Sequence, residues 1–561
     1  MSQVILQEAV SRSLSLRHDF SNLSWSRGLT NFYEGVPFSY CTSLKFIKQI
    51  TKLLINFCEK NTSQNMFHFY GLGSGTGMFM FSLIEYLSRD HPDVFKRFHF
   101  HISDFSNEIV DFYYKNSTYL KFKDVIECEV IDFSNLQFEG KPVPDIIFMS
   151  YLWDAVDTIH MEYKQNTLYE IKVKTYLDKT DGIIDTSSVY PKYLTAQDLQ
   201  KICLDADQSR LKQLLPKLVP LLKEEYSYHQ FDYSKVSKDE ATLLQNHLER
   251  VVGTKNLKFN YSTKIFNAIQ HIKQVLSKDG LIMVYDMGYE DITFKKGISG
   301  MTVPYELTVF YDIYFPLYHE LFKQDGFESL LTSFSSGSSQ FSLTSLGQTD
   351  NYKHTFKKEF YKDLSGSSGQ NLSTIKKTIN QSNAVQNTIA YVASLKETDY
   401  SYYFLTQAMI ISYESDVYEV TKFIGDLFLK RFKNVPVVGL NLLAKTTYYS
   451  GDVLVSEQYL KKAIQFDPNF ADLYLNLSLT LLKQNKFEEL IECLERYFKL
   501  NSKSPRYMEY LNLIIAYVKC DRIEESKRLI EHIVTVENFV GNAFPKKLLE
   551  QLDVVLESIV I

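Results

Sequence analysis

Gly71-Leu-Gly-Ser-Gly-Thr-Gly77 decides how this chain is read. The apolar run Met66-Phe67-His68-Phe69-Tyr70 precedes it, and Met78-Phe79-Met80-Phe81-Ser82-Leu83-Ile84-Glu85-Tyr86-Leu87 follows. That order predicts a strand, a glycine loop and a helix. Glycines let the backbone take positive φ and approach a ligand closely. The first helical turn then offers N–H groups to a polar guest. A nucleotide-type cofactor is the expected occupant. A tight strand-to-helix turn without a ligand has the same local pattern.

Working outward, residues 41–60 predict a helix, with Leu44, Ile47, Ile50, Leu53, Leu54 and Phe57 at helical spacing. Phe98-His-Phe-His-Ile-Ser-Asp104 predicts a second strand that closes on an aspartate, and a helix follows at 106–115. Val125–Asp132 predicts a third strand, again ending on an aspartate; Asp145–Ser150 predicts a fourth and Leu281–Asp286 a fifth. Strands alternating with helices imply an α/β fold, a mostly parallel sheet covered on both faces. Such sheets bind ligands beyond the C-terminal strand ends. Asp104, Asp132, Tyr151, Asp154 and Asp286 all fall there. A helix near 310–324, then two apolar runs at 327–334 and 340–346 around Ser335-Ser-Gly-Ser-Ser339, predicts a closing antiparallel hairpin.

About 130 residues separate the fourth and fifth strands, far more than the dozen or so a crossover needs. They hold a predicted strand at 168–177 and a helical insertion at about 190–278. Thr195 with Asp198 gives a cap signal. Leu211, Leu214, Leu215, Leu218, Leu221 and Leu222 form one apolar stripe; Ile265, Phe266, Ile269, Ile272 and Leu276 form another. At the sheet's rim this unit reads as a cover that gates the site, or as a purely structural insertion.

Ser365-Gly-Ser-Ser-Gly369 is a flexible-loop signature. The expected division is 1–350 for the α/β domain, 351–434 for a linker and helical connector, and 435–561 for helical repeats. The last third repeats with a 34-residue frame that aligns Leu443 with Leu477, Thr447 with Leu481 and Leu460 with Leu494. A shift of 36 aligns Tyr474 with Tyr510, Leu477 with Leu513 and Phe487 with Ile523. Around Ala463, Pro468 and Tyr474 the pattern resembles the junction of two tetratricopeptide repeats. Stacked helix pairs of that kind form a groove for a peptide or partner helix; a cap or dimerisation element is the alternative.

Composition narrows the function. The net charge of −6 leaves no broad basic field for nucleic acid or an acidic membrane. The six cysteines form no C-x-x-C and no disulfide framework. His99 and His101 share a strand face and read as ordinary strand residues, so no metal is expected. No apolar run approaches the ~18 residues that span a bilayer. No secretory signal is evident, and a cytoplasmic protein is expected. Arg12 and Arg17 among early serines leave an organellar leader open.

Dehydrogenases also use a glycine-rich first loop. Here the loop is G-x-G-x-G, Asp132 closes the third strand before Phe133, and a hairpin follows the fifth strand. These features resemble class I S-adenosylmethionine-dependent methyltransferases. More narrowly, residues 30–347 resemble the MidA family. Ser150-Tyr-Leu-Trp-Asp154-Ala155 is similar to its Asn-Glu-x-x-Asp-Ala segment, Asp286-Met-Gly288 to its Asp-Tyr-Gly segment, and Phe341–Gly347 to its closing Phe-Leu-x-x-x-Gly. The resemblance implies a Rossmann-like domain, S-adenosylmethionine as cofactor, and methyl transfer, in some members to protein arginine. It implies that the loop from Gly71 onward binds the cofactor, with Gly73, Ser74, Gly75 and Gly77 at the methionine–ribose junction. Asp104 would take the ribose hydroxyls, and Asp132 with Phe133 the adenine. Asp154 and Asp286 would form the acceptor pocket, with Tyr151, Trp153 and Tyr289 as its walls. The chain departs from the family twice. Gly71 stands where the family places an acidic residue that helps hold the methionine end, and Ser150-Tyr151 replaces Asn-Glu. A catalytically inactive scaffold of the same fold, and a small-molecule methyltransferase, are the competing expectations.

Overall fold

Alternation along the central strands sorts their side chains into two cores. Phe67, Phe69, Phe98, Phe100, Ile102 and Phe148 face one core; Tyr70, Leu72, Ile147, Met149, Ile282 and Val284 face the other. The computed structural model describes residues 3–25, 29, 40–178, 184–185, 193–194, 219–290, 302–305, 308–332, 339–347, 349–360, 368–500 and 507–535.

The first half of the α/β region runs β1 (Gln3–Val10), α1 (Leu16–Trp25), α2 (Leu44–Lys60), β2 (Phe67–Leu72), α3 (Met78–Asp90), β3 (Phe98–Asp104), α4 (Asn107–Tyr114), β4 (Ile126–Val130) and β5 (Ile146–Ser150). It continues through β6 (Ile159–Lys164), β7 (Thr167–Asp178), β8 (Lys223–Gln230), α5 (Lys238–His247), β9 (Leu257–Tyr261), α6 (Thr263–Val275) and β10 (Leu281–Tyr289). It ends with β11 (Thr308–Tyr311), β12 (Ile313–Tyr314), α7 (Phe315–Lys323), β13 (Phe327–Leu331), β14 (Ser339–Leu346) and α8 (Asp350–Phe360).

The parallel centre has the order β4-β3-β2-β5-β10. β14 pairs antiparallel with β10, and β13 lies outside it. The expected hairpin is therefore present; its expected Ser-Gly turn lies outside the described residues except for Ser339. β10 also runs on to Gly288 and Tyr289, which pair with β12 and join this sheet to β9, β6, β7 and β1. Gly288 is required at the joint, because a Cβ there would lie 2.3 Å from the Ile313 carbonyl oxygen.

Two expected helices are corrected. The helix near 310–324 begins only at Phe315, with Pro316 in its first turn. The aromatic, β-favouring run before it forms β11 and β12. The insertion at 190–278 is mixed rather than helical. Lys223–Gln230 pairs with β7 over eight residues, consistent with its alternating Tyr226 and Tyr228. Thr195, Asp198 and the leucines from 211 to 218 lie outside the described residues. Helix α8 puts Tyr352, Phe356 and Phe360 into the core that α2 also fills, so this core continues past residue 350.

Beyond it come α9 (Ser368–Ile379), α10 (Ala384–Ser394) and four helix pairs: α11 (Tyr402–Glu414) with α12 (Tyr418–Arg431), α13 (Val437–Tyr449) with α14 (Val453–Phe466), α15 (Ala471–Lys483) with α16 (Phe487–Leu500), and α17 (Tyr507–Lys519) with α18 (Ile523–Thr535). From α13 to α15 the helix starts are 34 residues apart, and from α15 to α17 they are 36 apart. Each pair turns on one left-handed residue: Asp416, Gly451, Asn485 and Asp521. These are the residue types that tolerate that conformation. No helix among the described residues is long and apolar enough to cross a membrane.

The helical half packs directly on the α/β half. Met78 sits in the core of α11 and α12. The Tyr402 backbone N–H donates to Thr42 Oγ1 at 3.1 Å, and Asn434 Nδ2 donates to Thr118 Oγ1 and Glu85 Oε1 at 2.8 and 3.1 Å.

Candidate functional site

A cavity of about 390 Å³ opens at the C-terminal ends of the parallel strands. Its floor is the glycine loop. Gly73, Gly75 and Gly77 have φ of 59°, 54° and 70°, a backbone region that side chains with a Cβ rarely adopt. Space adds a second reason for glycine: a Cβ on Gly73 would meet Leu152 at 2.7 Å, and one on Gly77 would meet Phe81 at 2.6 Å.

The loop is tied to β3. The Ser74 N–H donates to the Ser103 carbonyl at 2.8 Å, and the Gly75 N–H donates to Asp104 Oδ2 at 3.0 Å. Tyr113 closes the back by donating to the Gly75 carbonyl at 2.6 Å. Thr76 lines the cavity, and its buried hydroxyl has no hydrogen-bond partner among the described residues. Gly77 caps α3 with no side-chain oxygen, so no side chain caps the first-turn N–H groups.

Asp104 lines the cavity and is buried. Burial pushes its carboxyl up, and N–H donors from Ser106 and Gly75 only partly offset this, leaving it at about 6. Asp132 is exposed, lines the same wall, and accepts from the Ser134 N–H at 2.8 Å. Phe133, beside it, is buried. The structure adds Phe105, which is 53% exposed although aromatic. The sequence carried its signal: it follows a strand-closing aspartate as Phe133 follows Asp132.

The loop after β5 forms the facing wall. Tyr151 lines the cavity at φ 52°, a strained conformation for a residue with a side chain, of the kind concentrated at functional sites. Asp286 holds this turn by accepting from the Leu152 and Trp153 N–H groups at 3.1 and 2.8 Å.

Four of the five residues expected in an acceptor pocket thus stand behind its wall. Asp154 and Asp286 are fully buried. Burial raises both carboxyls, and for Asp154 the neighbouring Asp286 adds to it, so the pair resists double ionisation. Tyr289 packs on Tyr314 and donates to the Lys258 carbonyl at 2.7 Å. Trp153 is buried against Phe315 and Tyr318. Gly71 does not line the cavity: a Cβ there would meet Ser74 Oγ at 2.8 Å and Met80 at 2.9 Å.

Beside Asp104 and Asp132, the carboxylate that reaches the cavity from the facing wall is Asp157. Burial opposes its ionisation, but His18 at 2.8 Å and Lys264 at 2.5 Å outweigh that and hold it near 2. The cover comes from Asn22 and Trp25 of α1 and from Phe310. Among the described residues of the insertion at 190–278, only Lys264 reaches the cavity. No local pattern in the sequence linked α1 to the glycine loop, because the two meet only through the tertiary fold.

No family model matches the chain, and no curated protein matches it. Solved structures of MamA are distantly similar. One is 13% identical, covers 29% of this chain and 89% of its own, and has a TM-score of 0.25. MamA 41-end from Desulfovibrio magneticus RS-1 is 14% identical, covers 32% and 99% respectively, and has a TM-score of 0.26. Both likenesses are too distant to bear on fold or activity.

Proposed function

We propose that the cavity binds S-adenosylmethionine and that the protein transfers its methyl group to a protein side chain, arginine-like by resemblance, with the helix pairs recruiting substrate or partner. One observation carries this reading. A single cavity runs from the glycine loop past Asp104 and Phe105 to Asp132 and Phe133, across a parallel sheet flanked by an antiparallel hairpin. Its volume of about 390 Å³ falls within the range of small-molecule sites.

The residues present fit the cofactor. Thr76 offers an unpartnered hydroxyl, and the first turn of α3 lacks a side-chain cap. Each Asp104 oxygen already accepts one backbone N–H and retains a second lone pair. Phe105 and Phe133 give apolar surface to a flat base. Bound cofactor would supply an electrophilic methyl on a sulfonium. The protein's part is alignment, which contributes up to ~7–11 kcal/mol of barrier lowering in well-oriented systems. Asp157 replaces Asp154 and Asp286 as the acceptor-side carboxylate. Held near 2, it stays ionised; it is a poor proton acceptor but a good partner for a guanidinium or amine. Trp25, Tyr151 and Phe310 would exclude water.

Gly71 favours a second reading, a methyltransferase-fold binding protein without turnover, because Ser74 and Met80 leave no room there for a carboxylate. Calorimetry with S-adenosylmethionine on wild type and Asp104→Ala tests binding, and labelled-methyl transfer in a lysate tests turnover. Binding lost in Asp104→Ala, with label in protein bands, is expected. Tight binding without transfer selects the second reading, and label in the low-mass fraction selects a small-molecule acceptor. Absence of binding defeats all three.

A further inference from the structure

At the other end of the same strands, β2, β3 and β4 bring together His68, His99, His101 and Glu127. The parallel register places His68 beside His99, and His101 beside Glu127. Alternation puts His99 and His101 on one face of β3, their ring centroids 5.1 Å apart. One ligand atom from each of His99, His101 and Glu127 lies within 4.8 Å of the others. We propose that His99, His101 and Glu127 form a binding site for a divalent transition-metal ion of the zinc class, with His68 beside it.

The donor set suits such an ion. Two imidazoles and one carboxylate are a borderline set that leaves coordination positions open for water or a fourth side chain. His68 is in reach for that position: its Nδ1 lies 3.0 Å from His101 Nε2. Two nitrogens on one zinc at ~2.0 Å stand roughly 3.3 Å apart, so this spacing needs little adjustment. Glu127 is exposed and His99 half-buried, which gives an ion a path from solvent.

The surroundings look like an outer ligand shell. His101 Nδ1 lies 2.8 Å from Glu129 Oε1, and Lys141 pairs with the other oxygen of Glu129. His101 Nδ1 also lies 3.5 Å from Glu127 Oε2, so both carboxylates stand on its Nδ1 side while Nε2 faces His68. This carboxylate–histidine arrangement orients metal-ligating imidazoles elsewhere.

The site is separate from the cavity. Five residue steps of β3 separate His99 from Asp104, roughly 16 Å at the strand rise. β4 is the edge of the sheet, so the ion would staple an edge strand to its neighbour.

The test uses untagged full-length protein stripped by a chelator. It is titrated with Co²⁺ and followed by visible absorption, then challenged with Zn²⁺. One equivalent of Co²⁺, displaced by Zn²⁺, is expected. His99→Ala and Glu127→Gln should each weaken binding at least about tenfold, the lower end of what even outer-shell changes produce. Asp104→Ala should bind as wild type. Circular dichroism checks that the variants fold, and the exposed Glu127 keeps the test open if His99→Ala does not. Absence of stoichiometric binding, or affinity unchanged in a folded variant, overturns the proposal.

Discussion

Some buried polar groups in the two halves of the molecule are held in contrasting ways. In the helical half, buried hydroxyls bond back to their own helices: Ser412 to the Ala408 carbonyl, Thr446 to Leu442 and Thr447 to Leu443, all within 2.9 Å. Its buried carboxylate Glu457 is matched by Lys461 and Lys486, both at 2.7 Å. In the sheet half, Asp104, Asp154 and Asp286 are buried with raised affinity for protons, and no lysine or arginine is among the groups that shift them. Self-satisfied hydroxyls build a rigid scaffold. Carboxyls left without a cationic partner mark a site, since perturbed groups cluster where chemistry or binding occurs.

The contrast can be broken at three strengths. The largest effect is expected at Gly288, where any Cβ collides with backbone at 2.3 Å. Gly288→Val should cost more than about 3 kcal/mol, beyond ordinary overpacking; an unchanged unfolding midpoint would show that the two sheets are not joined there. Next comes the helical half. A Cβ on Gly439 would lie 2.3 Å from the Phe428 ring, so Gly439→Val should lose about 1–3 kcal/mol. Its S-adenosylmethionine affinity should stay within about twofold, as for distant, independent sites. A matching loss of affinity would erase the division between the halves.

The smallest effect is a pH profile. Asp104 is protonated below about 6, so calorimetric affinity for S-adenosylmethionine should fall about tenfold per pH unit below that value. Asp104→Asn should flatten the profile. The stability sign is opposite. A carboxyl raised in the folded state from about 4 removes stability as pH climbs from there through about 6. Asp104→Asn should therefore be no less stable than wild type at pH 7.

Much of the sheet was legible because its signals are local. The strand at 98–104 has the boundaries its alternation predicts, and the loop glycines sit at positive φ. The helix repeat was legible for the same reason: its 34-residue frame aligns Leu443 with Leu477 and Leu460 with Leu494. Lys223–Gln230 was less visible, because its alternation rests on two tyrosines in a charged segment. The site was half legible. Asp104, Asp132 and Phe133 reach the cavity, whereas Asp154 sits in the turn after β5 and Asp286 and Tyr289 lie within β10, all three buried. A strand-end position is a statement about sequence; the direction of the side chain there depends on what the next strand pairs with.

By itself, then, the sequence determined the alternating elements, the glycine loop, the aspartate that ends β3, and the 34-residue frame, since each follows from spacing within a single segment. Only the tertiary structure decided that α1 covers the cavity, that Asp157 rather than Asp154 faces it, and that His99 and His101 meet Glu127 across strands. Those contacts join residues from one strand to its neighbour, or more than a hundred positions along the chain. No local period encodes them; they are set by strand register and by which helix packs over which end of the sheet.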